Sequence, residues 1–394
     1  MTYINGSTSV VAQELKLVTK TPRLHVSPSL SNIEKVINSQ VDFSQRNDPL
    51  RNQNVSTDKS GLGQAGVIEK FNQAIKNPQP NPKSVTGKEN TVSEGTDRLA
   101  ENNNFRLAKE IDKLYPHQKV SLNNIDRLVV FGDSLSDSDG RMFEKSFHIL
   151  PSYSQYYEGR FTNGFVWGEF LSSPAFLNKK MVNFAEGGST AASYSPLTLR
   201  SNFLSNLDSQ MKNYRPSDKD LTFFLFGAND YSTLHKNDIL KVVESQIDGV
   251  EKLLTKGVKN VLVMGIPDLS MKPDSKNSDR KRQYKDIAIA HNHLLQKNID
   301  ALKEKYPEAK IFFFDIAGAL NNIITVARKI GYDTTHSYTN HGYIHIPGTK
   351  DPELNISPEY IFNDKVHPTQ EVHHTFATIL NHFIANNYAD KAAA

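Results

Sequence analysis

The stretch Arg127-Leu128-Val129-Val130-Phe131-Gly132-Asp133-Ser134-Leu135-Ser136-Asp137 joins an unbroken apolar run to a turn of small and acidic residues. A short apolar run without polar alternation marks a strand buried on both faces, the kind found in parallel sheets covered by helices. The same pattern of run and then turn recurs around Met181–Phe184, Leu221–Phe226, Asn260–Met264 and Lys310–Phe314. Between the runs lie amphipathic stretches. In Asp238–Thr255, Ile239, Val242, Val243, Ile247, Val250 and Leu254 share one helical face, and Asp286–Tyr306 is a second such segment. Alternating strands and helices predict an α/β fold with a mainly parallel central sheet, in which ligands gather beyond the carboxyl ends of the strands.

Upstream the composition changes. Of 394 residues 38% are hydrophobic, below the roughly 45–50% of a compact globular chain. The deficit lies at the front, where Tyr3, Phe43, Phe71, Phe105 and Tyr115 are the aromatic residues of the first 120. Residues 1–97 are rich in Asn, Ser, Gln, Pro and Thr and include Asn77-Pro78-Gln79-Pro80-Asn81-Pro82. That composition predicts a largely disordered tail, with Val10–Val18 and Ile33–Val41 able to become short helices against a partner. Leu99, Leu107, Ile111 and Leu114 recur at helical spacing before Pro116, so residues 98–125 are expected to be a helix and linker packed on the body that spans 126–390.

Several function classes are excluded or weakened. The first 120 residues carry 16 Lys and Arg, scattered among 12 Asp and Glu, which is a poor nucleic-acid footprint. The absence of cysteine removes disulfides, thiolate metal sites and a cysteine nucleophile. No apolar run approaches the ~20 residues of a membrane span, and the polar start lacks the form of a conventional signal peptide.

Four short blocks carry chemistry. Ser134 follows the first strand at a strand-to-helix turn, where a hydroxyl can project into a crevice; Gly-Asp-Ser is equally a common turn with a capping serine. Asp364 stands three residues before His367 in Phe362-Asn363-Asp364-Lys365-Val366-His367-Pro368-Thr369, a spacing that lets one local turn bring carboxylate to imidazole. The same spacing also suits a helix cap beside a surface histidine. Pro368 fits the first turn of a following helix. Gly187-Gly188 and Gly227-Ala228-Asn229 end two other strands, and glycine amides with an asparagine side chain can hold a developing oxyanion. Asp133 and Asp137 are read as braces of the serine loop, and Asn163 as a support of the crevice or an Asn-Gly turn. Phe143, Phe147, Ile149, Leu150, Tyr153, Tyr156, Tyr157 and Phe161 form an aromatic cluster suited either to an acyl groove and lid or to the core. The segment around 331–360 is either an acceptor-site wall or a surface loop.

Taken in order, these blocks resemble the GDSL, or SGNH, hydrolase superfamily over about Asp126 to Ala385, with Arg160-Phe161-Thr162-Asn163-Gly164-Phe165-Val166-Trp167 resembling the segment after its first block. The resemblance implies a three-layer α/β/α sandwich. It further implies a catalytic set of Ser134, Asp364 and His367, and an oxyanion hole formed by Ser134, Gly188 and Asn229. No metal or other cofactor is expected. Gly140–Lys145, His148–Tyr153, Phe184–Tyr194, His341-Gly342-Tyr343 and Asp364–His374 are similar, more narrowly, to the glycerophospholipid:cholesterol acyltransferase branch and its type III secreted bacterial effectors. That similarity implies acyl transfer from a glycerophospholipid to cholesterol or water. It also implies delivery into a host cell, contact with host membranes and activation by a host Rho-family GTPase. The rival expectations are an esterase for other acyl esters and a non-catalytic binding effector on a hydrolase scaffold.

Overall fold

The apolar runs fold as strands buried on both faces, and every residue of the strand Asp220–Leu225 is buried. The computed structural model describes residues 89–90, 105–146, 148, 150–151, 156–194, 203–275, 278–339 and 357–390. The strands are β1 Glu89–Asn90, β2 Arg127–Gly132, β3 Lys180–Asn183, β4 Asp220–Leu225, β5 Asn260–Met264, β6 Lys310–Phe314, β7 Asp333–Ser337 and β8 Tyr360–Phe362. The helices are α1 Arg106–Leu114, α2 Arg141–Lys145, α3 Trp167–Ser172, α4 Leu207–Met211, α5 Ala228–Ser232, α6 Ile239–Leu254, α7 Ser278–Lys305, α8 Ile316–Lys329 and α9 Gln370–Asn387. Apart from β1, the tail 1–97 expected to be disordered lies outside the described residues, as do Phe147, Ile149 and Tyr153 of the aromatic cluster.

The main sheet has the order β1-β3-β2-β4-β5-β6. All its pairings are parallel except that of β1 with β3. β7 and β8 form a separate parallel pair within the segment expected to be a loop or a wall. Alternate side chains of each strand serve opposite layers, as the pleat requires. Leu128, Val130, Phe223 and Leu225 pack with Trp167 and Phe170 of α3, Ile323 of α8 and Phe376 and Leu380 of α9. Val129, Phe131, Phe224 and Val263 face Val242 and Val250 of α6 and Ile287 and Leu295 of α7. The result is the expected helix–sheet–helix sandwich.

β2 lies between β3 and β4; the chain leaving β2 runs to β3 through α3 in one layer, whereas the chain leaving β4 runs to β5 through α6 in the other. The carboxyl end of β2 is therefore a topological switch point, where an open crevice forms. Gly227, just beyond β4, adopts φ 108°, and a Cβ there would press on His291 and Ile266 at 3.0 Å. Glycine is what lets the chain turn directly from β4 into α5.

α1 begins at Arg106 and buries Leu107, Ala108 and Ile111 in the core. The Glu371 carboxylate of α9 accepts the Leu107 amide at 2.8 Å, so a distant side chain satisfies a helix N-terminus that lacks a cap of its own. Ile111→Ala is expected to lower unfolding free energy by ~2–5 kcal/mol, measured by chemical denaturation; a change below about 0.5 kcal/mol would show that α1 is dispensable to the core.

Candidate active site

The loop leaving β2 is a turn rather than a helix start: the Ser136 amide donates to the Asp133 carbonyl at 3.0 Å, and α2 begins only at Arg141. The helix expected directly after Ser134 is thus displaced, because Gly140 takes a left-handed conformation before α2 and Asp137 caps that helix from a distance. Ser134 is buried, and its Oγ stands 2.8 Å from His367 Nε2. His367 Nδ1 meets Asp364 Oδ2 at 2.7 Å. The other carboxylate oxygen, Oδ1, accepts the amides of Val366 at 2.6 Å and His367 at 2.5 Å. This turn is local, as the spacing of three residues suggests.

Pro368 does not open the following helix. It forms an antiparallel bridge with Phe362, and α9 starts at Gln370 after the cap residue Thr369. Two neighbours from another segment pin this corner. Thr162 Oγ1 donates to the Pro368 carbonyl at 2.9 Å, and Asn163 Oδ1 accepts the Gln370 amide at 2.9 Å. A Cβ on Gly164 would fall 1.8 Å from Gln370 Oε1, which explains the glycine after Asn163. The Phe161 ring lies 5.0 Å from the His367 ring, centroid to centroid.

Tyr156 is the functional residue that sequence reading misplaced. It sits in the aromatic cluster considered for an acyl groove, yet it is fully buried and its hydroxyl donates to Asp364 Oδ2 at 2.7 Å. Phe143 and Phe161 are buried as well. Burial opposes ionisation of Asp364, but the charge of His367 and the hydrogen bonds from His367 and Tyr156 outweigh it and hold the carboxyl below its usual range. Asp364 is therefore an anion near neutral pH, so it can orient the imidazole and stabilise its protonated form.

The candidate oxyanion donors are only partly gathered. Neither the Ser134 nor the Gly188 amide has an acceptor among the hydrogen bonds of the described residues. Asn229 Nδ2 donates to the Ser189 carbonyl at 3.1 Å and more distantly to Asp133 Oδ2 at 3.4 Å, which sets Asn229 next to the glycine turn. Ser134 and Asn229 line one cavity of about 100 Å³, whereas Gly188 is not among its lining residues.

The cavity's walls are chiefly apolar and include Leu135, Trp167, Leu225, Ile316, Leu320, Phe362, Val372 and Phe376. They come from elements far apart in sequence, so no local pattern announced them. His373 also lines it, with Nδ1 accepting the Trp167 amide at 3.3 Å; burial and the charge of His367 draw its pKa down to about 3, so it stays neutral. His374 is likewise buried in α9, and His341 and His345 lie outside the described residues. Among the described residues no group of His, Asp and Glu is placed to hold a metal ion.

Residues 128–380 match the family model of the GDSL-like lipase/acylhydrolases. The chain belongs to that family. As a GDSL-family member it is an enzyme of the acylhydrolase type. It is 61% identical to the secreted effector protein SseJ of Salmonella typhimurium over 72% of this chain and 70% of that one. It is 30% identical to the phosphatidylcholine-sterol acyltransferase of Aeromonas hydrophila, over 54% of this chain and 64% of that protein. A solved structure, the native aryl esterase of M. smegmatis, aligns at 16% identity with 66% of this chain and 99% of its own, with a TM-score of 0.39.

Within this GDSL fold two carboxyls sit beside the serine loop without joining Ser134. Asp133 accepts the Leu135 amide at 3.0 Å, and burial pushes its carboxyl up to about 6. Asp137 accepts the amides of Arg141, Met142 and Gly187 at 2.9, 3.1 and 2.9 Å, tying the serine loop to the glycine turn; burial pushes its carboxyl up to about 7. A carboxyl whose pKa is raised on folding contributes stability that is full below about 3.9 and is lost as pH rises through the folded value. The stability advantage of the wild type over Asp137→Asn should therefore shrink between pH 5 and pH 8. Thermal melts across that range check this, and an advantage that grows with pH would reverse the sign.

Proposed function

We propose that the protein is a serine-dependent lipid acyl hydrolase and acyltransferase. It deacylates glycerophospholipids and passes the acyl group to cholesterol or to water. The observation that carries this reading is the continuous relay Ser134–His367–Asp364 at an apolar cavity. In this mechanism Ser134 Oγ attacks the carbonyl carbon of the acyl ester while His367 Nε2 takes its proton. The oxyanion is held by the amides of Ser134 and Gly188 and by Asn229, whose long bond to Asp133 is the one a substrate oxygen replaces. The tetrahedral adduct collapses, the glycerol–oxygen leaving group takes the proton from His367, and a lysophospholipid departs. His367 then removes a proton from the acceptor hydroxyl, which attacks the acyl-serine. Water yields a fatty acid, a sterol yields a steryl ester, and Ser134 regains its proton.

Asp133, Asp137 and Asn163 serve as positioning residues: Asp137 and Asn163 bond the backbone of the glycine turn and of the His367 corner, and Asp133 bonds the Leu135 amide and, more distantly, Asn229. Likeness to a secreted effector and to a phosphatidylcholine-sterol acyltransferase supports the choice of a lipid donor and a sterol acceptor. Likeness to a secreted effector supports action after secretion, and the resemblance carried by the sequence blocks extends the reading to a host cell, its membranes and a Rho-family GTPase as activator. Residues 1–97 then serve export or partner recognition, 98–125 join the body, and 126–390 form the catalytic domain. No helix among the described residues is long and apolar enough to cross a membrane, so the reading is one of peripheral contact.

Phosphatidylcholine vesicles with and without cholesterol, incubated with and without host cytosol, test the reading. The wild type should release fatty acid and, with cholesterol, form cholesteryl ester. Ser134→Ala should abolish both by at least about 10³-fold at unchanged thermal stability. Lipid products that persist in the variant would overturn the assignment of the nucleophile. Cleavage of water-soluble esters alone would favour a general GDSL esterase.

Tyr156→Phe removes the hydroxyl's hydrogen bond to the Asp364 carboxylate. It should lower kcat about ten-fold with little change in KM. Steady-state kinetics check this, and an unchanged kcat would mean that the backbone bonds to Asp364 suffice.

A further inference from the structure

We propose that Lys272 and Arg280, both set against the ring of Tyr284, form a binding site for the phosphate group of the lipid whose ester is presented to Ser134. The site rests on the lipid reading above and gives it a second point of recognition. Among the described residues lining the cavity, Lys272 alone carries a Lys or Arg charge. Its side chain is only 8% exposed. A buried ammonium is ordinarily matched by a close, well-aligned carboxylate. Here the partner is itself partly in solvent: Nζ pairs with Asp274 Oδ1 at 3.4 Å, and the Asp274 side chain is 41% exposed.

Nζ also lies 5.0 Å from the centre of the Tyr284 ring, and the Arg280 guanidinium carbon lies 5.9 Å from the same centre. Two cations thus share one aromatic ring, and one of them, Lys272, lines the cavity. Burial draws the Lys272 pKa below the usual lysine range, Asp274 and Asp364 oppose that, and Arg280 adds to it. An anion bound by Lys272 would add to the half-exposed Asp274 as its partner and would offset the charge of the nearby Arg280.

The other acidic groups in the cavity wall do not meet that need. Asp268 turns its Oδ1 to the Ser270 amide at 2.9 Å, and Asp133 is bonded to the Leu135 amide and Asn229. A ligand that carries an anion into the cavity would therefore give Lys272 a second partner beside Asp274, in the same cavity as Ser134. A glycerophospholipid has this layout, with an acyl ester on one glycerol carbon and a phosphodiester on its neighbour. Lysine and arginine are the side chains that bind phosphate oxygens most readily.

The experiment compares kcat/KM for phosphatidylcholine and for diacylglycerol with identical acyl chains in mixed micelles. It uses the full chain as wild type, Lys272→Met and Lys272→Arg. The wild type should prefer phosphatidylcholine. Lys272→Met should reduce that ratio about ten-fold, in line with the loss of a charged hydrogen bond, and Lys272→Arg should keep most of it. The ratio does not depend on the fraction of folded enzyme, so a destabilised variant still gives an answer. A ratio unchanged within two-fold in Lys272→Met overturns the site. A wild type that cleaves diacylglycerol without preferring phosphatidylcholine overturns the site alone, whereas one that cleaves neither overturns the lipid reading with it. Inorganic phosphate that inhibits diacylglycerol cleavage while no such preference exists would assign the site to free phosphate and overturn its assignment to a lipid.

Discussion

Parallel pairing of β2 with β3 on one side and β4 on the other dictates where everything else can go. A strand hemmed in on both edges and both faces can release its chain only at its end. The end of β2 is also where its own connection, through α3, and that of β4, through α6, leave for opposite layers. The turn Asp133–Ser136 is extruded into that gap, with Ser134 at its turn and the glycine turn after β3 and the start of α5 after β4 as its neighbours. The three loops meet because their parent strands are adjacent and in register: Val130 pairs with Asn183 and Phe223, and Gly132 pairs with Leu225.

The second half of the site is brought to this crevice by α9. Packing of Val372, Phe376 and Leu380 into one core layer fixes the helix, and the corner Asp364–Pro368 just before it is carried along. Long-range polar bonds then remove the freedom that remains: Thr162 and Asn163 hold the backbone around His367, and Tyr156 holds the carboxylate behind it. Such pre-organisation matters because a proton relay tolerates little misplacement. Burial pushes all three carboxyls up, and the charge of His367 opposes it at both Asp133 and Asp364, but only Asp364 also accepts hydrogen bonds from His367 and Tyr156, which bring it below its usual range.

Much of this architecture is legible in the chain. β5 and β6 run over the expected residues, and β2, β3 and β4 differ from the expected runs by one residue at one or both ends. Two expectations shift for identifiable reasons. The helix after Ser134 starts late because Gly140 and Asp137 define its start, and α9 starts after Pro368 because that residue is engaged in a bridge. β7 is polar and largely exposed, so no apolar run marks it, whereas β8 buries Ile361 and Phe362 but spans only 3 residues, too short a run to stand out. The aromatic cluster after the serine loop has two uses in its sequence, groove or core, and Tyr156 shows why composition could not choose: one polar atom on a buried ring made it a partner of Asp364.

What the sequence determined by itself was the class of fold and the local chemistry. Strands buried on two faces must be continuously apolar, and a carboxylate three residues before an imidazole can meet it through a single turn. Only the tertiary structure decided that Ser134 meets His367 across 233 positions of sequence. It alone decided that Tyr156 backs Asp364, that α8, α9 and β4 wall the cavity, and that Lys272 and Arg280 converge on Tyr284. Those contacts form between segments whose own sequences encode only how deeply they are buried. Which buried surfaces face one another is set by the order of the strands and the packing of the layers upon them.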